Sequence, residues 1–283
     1  NIPKTKLMRR CPVCIRLDGK AFHTFTRGFK RPFDEILIKS MQDTMKYLCE
    51  NIQGCVLGYH QSDEITLILV DYHTLNSDAW FDYKVQKMCS VAASMATMTF
   101  NKYFIAECTA YIYKHFNPNI KDDYIEALDK AVAKGAMFDA RVFNIPKEEV
   151  ANCLYWRQLD AARNSVQMVG QAYFSHSELH GKNHNDIQEM LWSTHRINWN
   201  DYPINLKRGT AVYNNNKLDG GWVIDMEMPI LTGEGREYLE NLINEVKQKI
   251  EKSTQKGLAI DAINLIECKL GQLCDVTVGI TAD

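Results

Sequence analysis

The chain has 283 residues, 46% of them hydrophobic, and a formal net charge of −2, which excludes an intrinsically disordered chain and a uniformly basic nucleic-acid binder. No stretch approaches the ~18 consecutive apolar residues of a membrane span, and the opening NIPKTKLMRR lacks the apolar run of a secretory signal, so a cytoplasmic protein with no membrane partner is expected. Nine scattered cysteines fit reduced thiols.

At the start of the chain Lys4, Lys6, Arg9, Arg10, Arg16, Lys20, Arg27, Lys30 and Arg31 stand against a single acid, Asp18. Such a cluster suits phosphates, or is an ordinary solvated face if it does not survive folding as a spatial cluster. CPVC, Cys11 to Cys14, is a lone CxxC; a zinc site wants a second pair at matching spacing, and none follows. PVCIRLDG reads as a strand, with Val13, Ile15 and Leu17 alternating with Cys14 and Arg16 before the turn residues Asp18-Gly19. DEILIKSMQDTMKYLCENI spaces Ile36, Leu37, Met41, Met45 and Leu48 as a helix, with Asp34 as its N-cap. CVLGYH and EITLILV are short apolar runs parted by QSD, a hairpin. WFDYKVQKMCSVAASMATMTFNKYF reads as one long helix, and AMFDARVFNI, Ala136 to Ile145, as a fourth strand. Beyond it, PKEEVANCLYWRQLDAARNSVQMVGQAYFSH is a long amphipathic helix and NDIQEMLWSTH a shorter one. GTAVYNN and GGWVIDMEM look like a hairpin, and Glu234 to Lys256 like a charged helix.

Strand, helix, strand, strand, helix, strand is the βαββαβ order of a ferredoxin-like sheet, an α+β fold. In that sheet the first and third strands are antiparallel neighbours, so Asp18 at the end of one meets Asp63, followed by Glu64, at the start of the other. Converging carboxylates repel, and without a cation one of them is driven to hold a proton. Oxygen ligands with no His or Cys at ligand spacing favour Mg²⁺ over Zn²⁺, and two such ions ~3.5–4 Å apart clamp the attacking and leaving oxygens of a phosphoryl transfer. Gly19 lets a triphosphate approach the backbone N–H groups that follow Asp18. The same residues also fit plain turn chemistry, Asp18-Gly19 ending a strand and Ser62-Asp63 tipping a hairpin. On the later long helix Trp156 reads as core, and Arg157 with Asp160 as an i, i+3 ion pair.

RLDGKAFHTFT from Arg16, KRPFDEILIKSM from Lys30 and GYHQSDEITLIL from Gly58 resemble the catalytic core of the histidine-tRNA guanylyltransferase family and its bacterial and archaeal relatives, the 3′–5′ tRNA polymerases. The family signatures RxDGRxFHxF and YGQSDE correspond to Arg16 through Phe25 and to Tyr59-His60-Gln61-Ser62-Asp63-Glu64. FDAR at Phe138 to Arg141, YWRQLDAARNSV from Tyr155, RINWND from Arg196 and KRGTAVY from Lys207 follow in family order.

The resemblance implies a polymerase palm. It would divide the chain into a catalytic core over 1–145, a helical extension and hairpin completing the same domain over 146–233, and a helical tail over 234–283. It implies two Mg²⁺ ions, with ATP, GTP and other NTPs as substrates, tRNA as partner, and a homotetramer. The implied chemistry is ATP activation of a tRNA 5′-monophosphate, followed by attack of an NTP 3′-hydroxyl on that end. By matching position Asp18, Asp63 and Glu64 would be catalytic, and Asp18, Asp63 and the Gly19 carbonyl would hold the metals. Asp18, Gly19, Lys20, Ala21, Phe22, His23, Ser62 and Asp63 would cradle the nucleotide, with Lys84 and Lys87 neutralising phosphate. Arg9, Arg10, Arg27, Lys30, Arg31, Arg157 and Asn164 are the RNA-binding candidates. Two departures bear on substrate: the family's His-Ile-Asn-Asn run is Ala161-Ala162-Arg163-Asn164, and its FDGR is FDAR. Both point to templated repair of 5′-truncated tRNA ahead of untemplated addition of one G to histidine tRNA. Another palm enzyme, such as a nucleotide cyclase or a 5′–3′ polymerase, is the alternative of different chemistry. A nucleic-acid-binding module with a disabled palm would require lost carboxylates, and all three are present.

Overall fold

The computed structural model describes residues 4–72, 76–117, 120–215 and 221–243. Residues 1–240 form one unit and residues 241–283 another; the expected helix at Glu234 to Lys256 is helical over residues 234–243, and the remainder lies outside the described residues. In chain order the elements are β1 (Val13–Gly19), α1 (Phe22–Phe25), α2 (Glu35–Asn51), β2 (Cys55–Gln61), β3 (Glu64–Leu69), α3 (Val85–His115), α4 (Asp123–Lys134) and β4 (Phe138–Asn144). They continue with α5 (Val150–Tyr173), α6 (His176–Leu179), α7 (His184–Met190), α8 (Ile204–Arg208), β5 (Thr210–Asn214) and β6 (Trp222–Asp225). Among the described residues no helix is long and apolar enough to cross a membrane.

The six strands form one antiparallel sheet in the order β4-β1-β3-β2-β5-β6. Its first four positions are the ferredoxin-like arrangement read from the sequence, and the hairpin β5–β6 extends it along the free edge of β2. Alternation in β1 and β3 puts Val13, Ile15, Leu17, Ile65, Leu67 and Leu69 on one face, all fully buried. Met41, Met45 and Leu48 of α2 and Met88, Ala92, Ala96 and Phe100 of α3 belong to the same core. The small residues of α3 are what let a 31-residue helix lie close on the sheet. The opposite face carries Arg16, Asp18, Glu64 and Thr66, and α5 reaches it through Arg157.

Asp34 caps α2 as expected, its side chain accepting from the Leu37 N–H. The long helix begins later than its sequence suggests. Residues Trp80–Tyr83 form a separate 3-10 turn with Phe81, Asp82 and Tyr83 at positive φ. There the backbone is already committed: Leu7 N–H donates to the Tyr83 carbonyl (3.0 Å) and Val85 N–H to the Thr5 carbonyl (3.1 Å). Helix α4, absent from the sequence reading, is capped by Asp122 and ends at Gly135 with φ 69. Trp156 is 67% exposed, which corrects its assignment to the core. The CPVC thiols have separate partners: Cys11 donates to the Ile145 carbonyl (3.2 Å), and Cys14 is buried against Cys153 of α5.

Candidate active site

Local sequence explains why two carboxylates meet. The β2–β3 connection is the two residues Ser62 and Asp63, and Ser62 takes a left-handed φ of 51, the conformation that a tight hairpin demands and that a non-glycine residue rarely adopts. Asp18 pairs with Glu64 in the β1–β3 register, and the Gly19 N–H donates to the Asp63 carbonyl (3.1 Å). Asp18 and Asp63 therefore sit at one edge of the sheet, as the strand order requires. Burial holds the Asp63 carboxyl above the usual range, and the nearby charge of Asp18 adds to the effect.

Glu64 is placed differently. Its carboxylate accepts from Arg16 (2.8 Å) and stands 3.4 Å from Arg157, with the Thr66 hydroxyl also at 3.4 Å. Burial raises its carboxyl, and Arg16 pulls in the opposite direction. Glu64 is thus the centre of an arginine clamp that fixes the turn, with its acceptor positions largely spoken for. Arg157 also pairs with Asp160, the expected i, i+3 pair, so one guanidinium links α5 to β3. Arg16 was not singled out as a site residue from the sequence; β-alternation, which puts positions 16 and 18 on one face, is the signal that would have found it.

A cleft of ≈ 560 Å³ opens beside the carboxylates and is lined by Gly19, Ala21, Phe22, His23, Arg27, Lys30, Arg31, Ser62 and Asp63, together with Asp34 and Gln171. Ala21 is left-handed (φ 55), turning the chain from β1 into α1. His23 is exposed at this cleft. Phe22 lines the cleft, but its ring is 5% exposed and packs on Phe25, Phe100 and Phe138 with centroids 5.1–5.6 Å apart. Lys20 is exposed and its N–H donates to the Met137 carbonyl (2.8 Å). The Lys30 ammonium lies over the rings of Tyr111 and Tyr124, at 4.5 and 4.6 Å.

Four candidates are not brought here. Lys84 and Lys87 line a separate surface with Arg9, Asp78 and Asp82 at the opposite end of the sheet. A seven-residue strand at ~3.3 Å per residue puts that end about 20 Å away. Arg9 and Arg10 are there too, Arg9 on the Asp71 carboxylate (2.6 Å) and the Arg10 N–H on the same group (2.8 Å). The basic cluster of the first residues is therefore two clusters in space. It is split because β1 runs from one end of the sheet to the other between them.

Next to the cleft, and sharing Asp34, Leu37, Ser62 and Met168 with it, is a mostly apolar cavity lined by His60, Ala161, Asn164 and Thr210. Asn164 stands 3.4 Å from Gln61. His60, where the YGQSDE signature has glycine, is buried; its Nε2 is 2.9 Å from the Ser62 carbonyl, and its Nδ1 has no partner among the described residues. Burial pushes its pKa down to about 4, so the ring is neutral at pH 7.

Among the described residues no three His, Cys, Asp or Glu side chains converge as a ready metal cage. What this edge offers is two carboxylates and main-chain oxygens. That set suits a cation drawing most of its ligands from water and phosphate, as Mg²⁺ does, and the raised Asp63 carboxyl is a site that positive charge would relieve.

The tRNAHis guanylyltransferase family model matches residues 3–146. The fold is similar to a bacterial tRNA(His) guanylyltransferase-like protein solved in complex with ATP, at 39% identity and TM-score 0.71, covering 84% of this chain and 93% of that one. A bacterial tRNA(His) guanylyltransferase-like protein in complex with GTP is similar at 37% identity and TM-score 0.67, covering 85% and 93%. A mouse protein named as a probable tRNA(His) guanylyltransferase is 25% identical over 71% of this chain, and the match spans 64% of its length.

Proposed function

The chain belongs to the tRNAHis guanylyltransferase family, and from that premise we propose that it adds nucleotides in the 3′–5′ direction to the 5′ end of tRNA, choosing each by pairing with the opposite strand. In the first step a 5′-phosphate oxygen of the RNA attacks the α-phosphorus of ATP and pyrophosphate leaves. In the second, the 3′-hydroxyl of an NTP attacks the activated 5′-phosphorus, and AMP leaves. Asp18, Asp63 and the Gly19 carbonyl would hold Mg²⁺, which supplies positive charge to the phosphoryl oxygens when bound. Residues Gly19 to His23 and Ser62 orient the triphosphate, and Arg27 and Arg31 face its charge. Glu64, fixed by Arg16 and Arg157, keeps the Ser62-Asp63 turn in position. The observation that carries this reading is the meeting of Asp18 and Asp63 at one sheet edge, through the Gly19 to Asp63 hydrogen bond, beside a cleft with cationic walls.

Templated repair is favoured because position 161, where the family has histidine, is alanine here, so α5 brings no imidazole of its own to the adjoining cavity. Pairing with a template needs no protein contact to choose the base. One observation favours the second reading, untemplated addition of G to histidine tRNA: His60 supplies a ring to that same cavity, beside Asn164. Catalytic efficiency measured side by side on a 5′-truncated non-histidine tRNA and on a full-length histidine tRNA lacking its extra G decides between them. Preference for the first supports repair; preference for the second, with G added whatever the opposing base, overturns it. We further propose a homotetramer.

A further inference from the structure

The candidate active-site cleft does not end at Arg31. Arg31 and Gln171 are also walls of a second cleft of ≈ 580 Å³, whose other side carries His176, His180 and Lys182. Arg31 reaches the Gln171 carbonyl with one N–H (3.4 Å), leaving other donors of its fork free for a ligand. His176 opens α6 and His180 follows its last residue, with ring centroids 6.4 Å apart. Among the described residues no carboxylate pairs with Arg31, Lys182, His176 or His180. The nearest acid in sequence, Glu178, is turned onto Ser175, accepting from its N–H (2.8 Å) and hydroxyl (2.6 Å). The far end of the sheet is the opposite case: there Lys6 is paired with Asp82 and Arg9 with Asp71, and Asp78 lines the same surface as Lys84 and Lys87. Cations already paired gain little from a phosphate, because the new contact must replace an existing one. Unpaired donors in a concave surface gain fully.

We propose that the cleft between α5 and α6 binds backbone phosphates of the RNA strand as it leaves the candidate active site, with Lys182, His176 and His180 as phosphate contacts and Arg31 as the link between the two clefts. This rests on RNA being the substrate. It carries the electrostatic hold on RNA from Arg31 to the end of α5 and the turns that follow, and leaves Arg9 and Arg10 out of it. Phosphate on an RNA strand and the triphosphate of an NTP share the same chemistry, and the test separates them.

The affinity of the full-length, Mg²⁺-supplemented protein for fluorescently labelled tRNA is measured by anisotropy across a range of salt, alongside the KM for ATP. Lys182→Ala is expected to weaken tRNA binding severalfold and to reduce the slope of log affinity against log salt by about 0.7–0.9, the loss of one phosphate contact. The double variant His176→Ala with His180→Ala weakens binding in the same direction, Lys182→Arg restores it, and the KM for ATP does not move. Lys84→Ala with Lys87→Ala, at the far end, leaves tRNA affinity unchanged. Wild-type-like affinity and slope in Lys182→Ala and the double-histidine variant would overturn the inference. So would a shift confined to the KM for ATP, which would make this a triphosphate site. If the wild-type protein shows no salt-dependent tRNA affinity at all, the RNA-substrate reading itself falls, a result distinct from both.

Discussion

Gly19 has no room for a side chain: a Cβ there would lie 2.3–2.8 Å from three atoms of the Phe22 ring, which is held from behind by Phe25, Phe100 and Phe138. Gly19→Ala should therefore cost about 1–3 kcal/mol by overpacking, read as a lowered urea midpoint, and weaken ATP binding by displacing the turn into α1. Asp63→Asn tests a different property. It removes an anionic oxygen from the carboxylate pair, so turnover should fall by roughly a hundredfold or more while the tRNA dissociation constant stays within about twofold; near-normal turnover would show that Asp63 has no part in holding the metal. His60 is one residue whose titration bears on stability. Its folded pKa is about 4 against ~6.5 in an unfolded chain. Its neutral form is favoured in the fold, so stability is complete above ~6.5 and declines as pH falls towards 4, by at most about 3 kcal/mol. Urea midpoints at acidic and neutral pH should differ less in His60→Gln than in the wild type; an unchanged difference would assign the acid sensitivity to other groups. A residue such as His60 is legible as a departure from a motif, but its burial is not, because burial depends on α5 and α8 closing over β2.

Among the elements, α2 depends on one side chain more than its periodicity suggests. Asp34 accepts from the N–H groups of Leu37 (3.0 Å) and Lys30 (3.1 Å) and from the Tyr124 hydroxyl (2.7 Å), so it caps α2, ties down the loop that carries Arg31 and anchors α4. Asp34→Ala should cost about 2–3 kcal/mol, above an ordinary cap, because three donors lose one partner; thermal denaturation measures it, and a loss under about 1 kcal/mol would mean that the cap alone matters. Strands β1 to β4 were legible because alternation and turn residues are local signals. The start of α3 was not, since the Thr5–Leu7 segment claims the backbone at Tyr83 and Val85. Helix α4 carried readable marks, Asp122 before Ile125, Leu128 and Ala131, then Gly135, and went unread among weakly patterned neighbours.

For the whole molecule, sedimentation is expected to show a species of four chains of 32.6 kDa each, and a single-chain species at micromolar concentration would count against the tetramer. The order of the first four strands, the meeting of Asp18 with Asp63, and the family motifs were all determined by the sequence itself, because alternation and turn residues mark each strand locally and the strand, helix, strand, strand, helix, strand order sets the antiparallel pairing of β1 with β3. Tertiary structure alone decided where the other charges ended up. It turned Glu64 onto Arg16 and Arg157, joined β5 to the edge of β2, and sent Arg9, Arg10, Lys84 and Lys87 to the end of the sheet away from the carboxylates. It also continued the cationic wall from Arg31 to Lys182. The reason is range: a charge cluster in sequence carries no information on direction, and a strand about 20 Å long separates residues that lie only a few positions apart on either side of it.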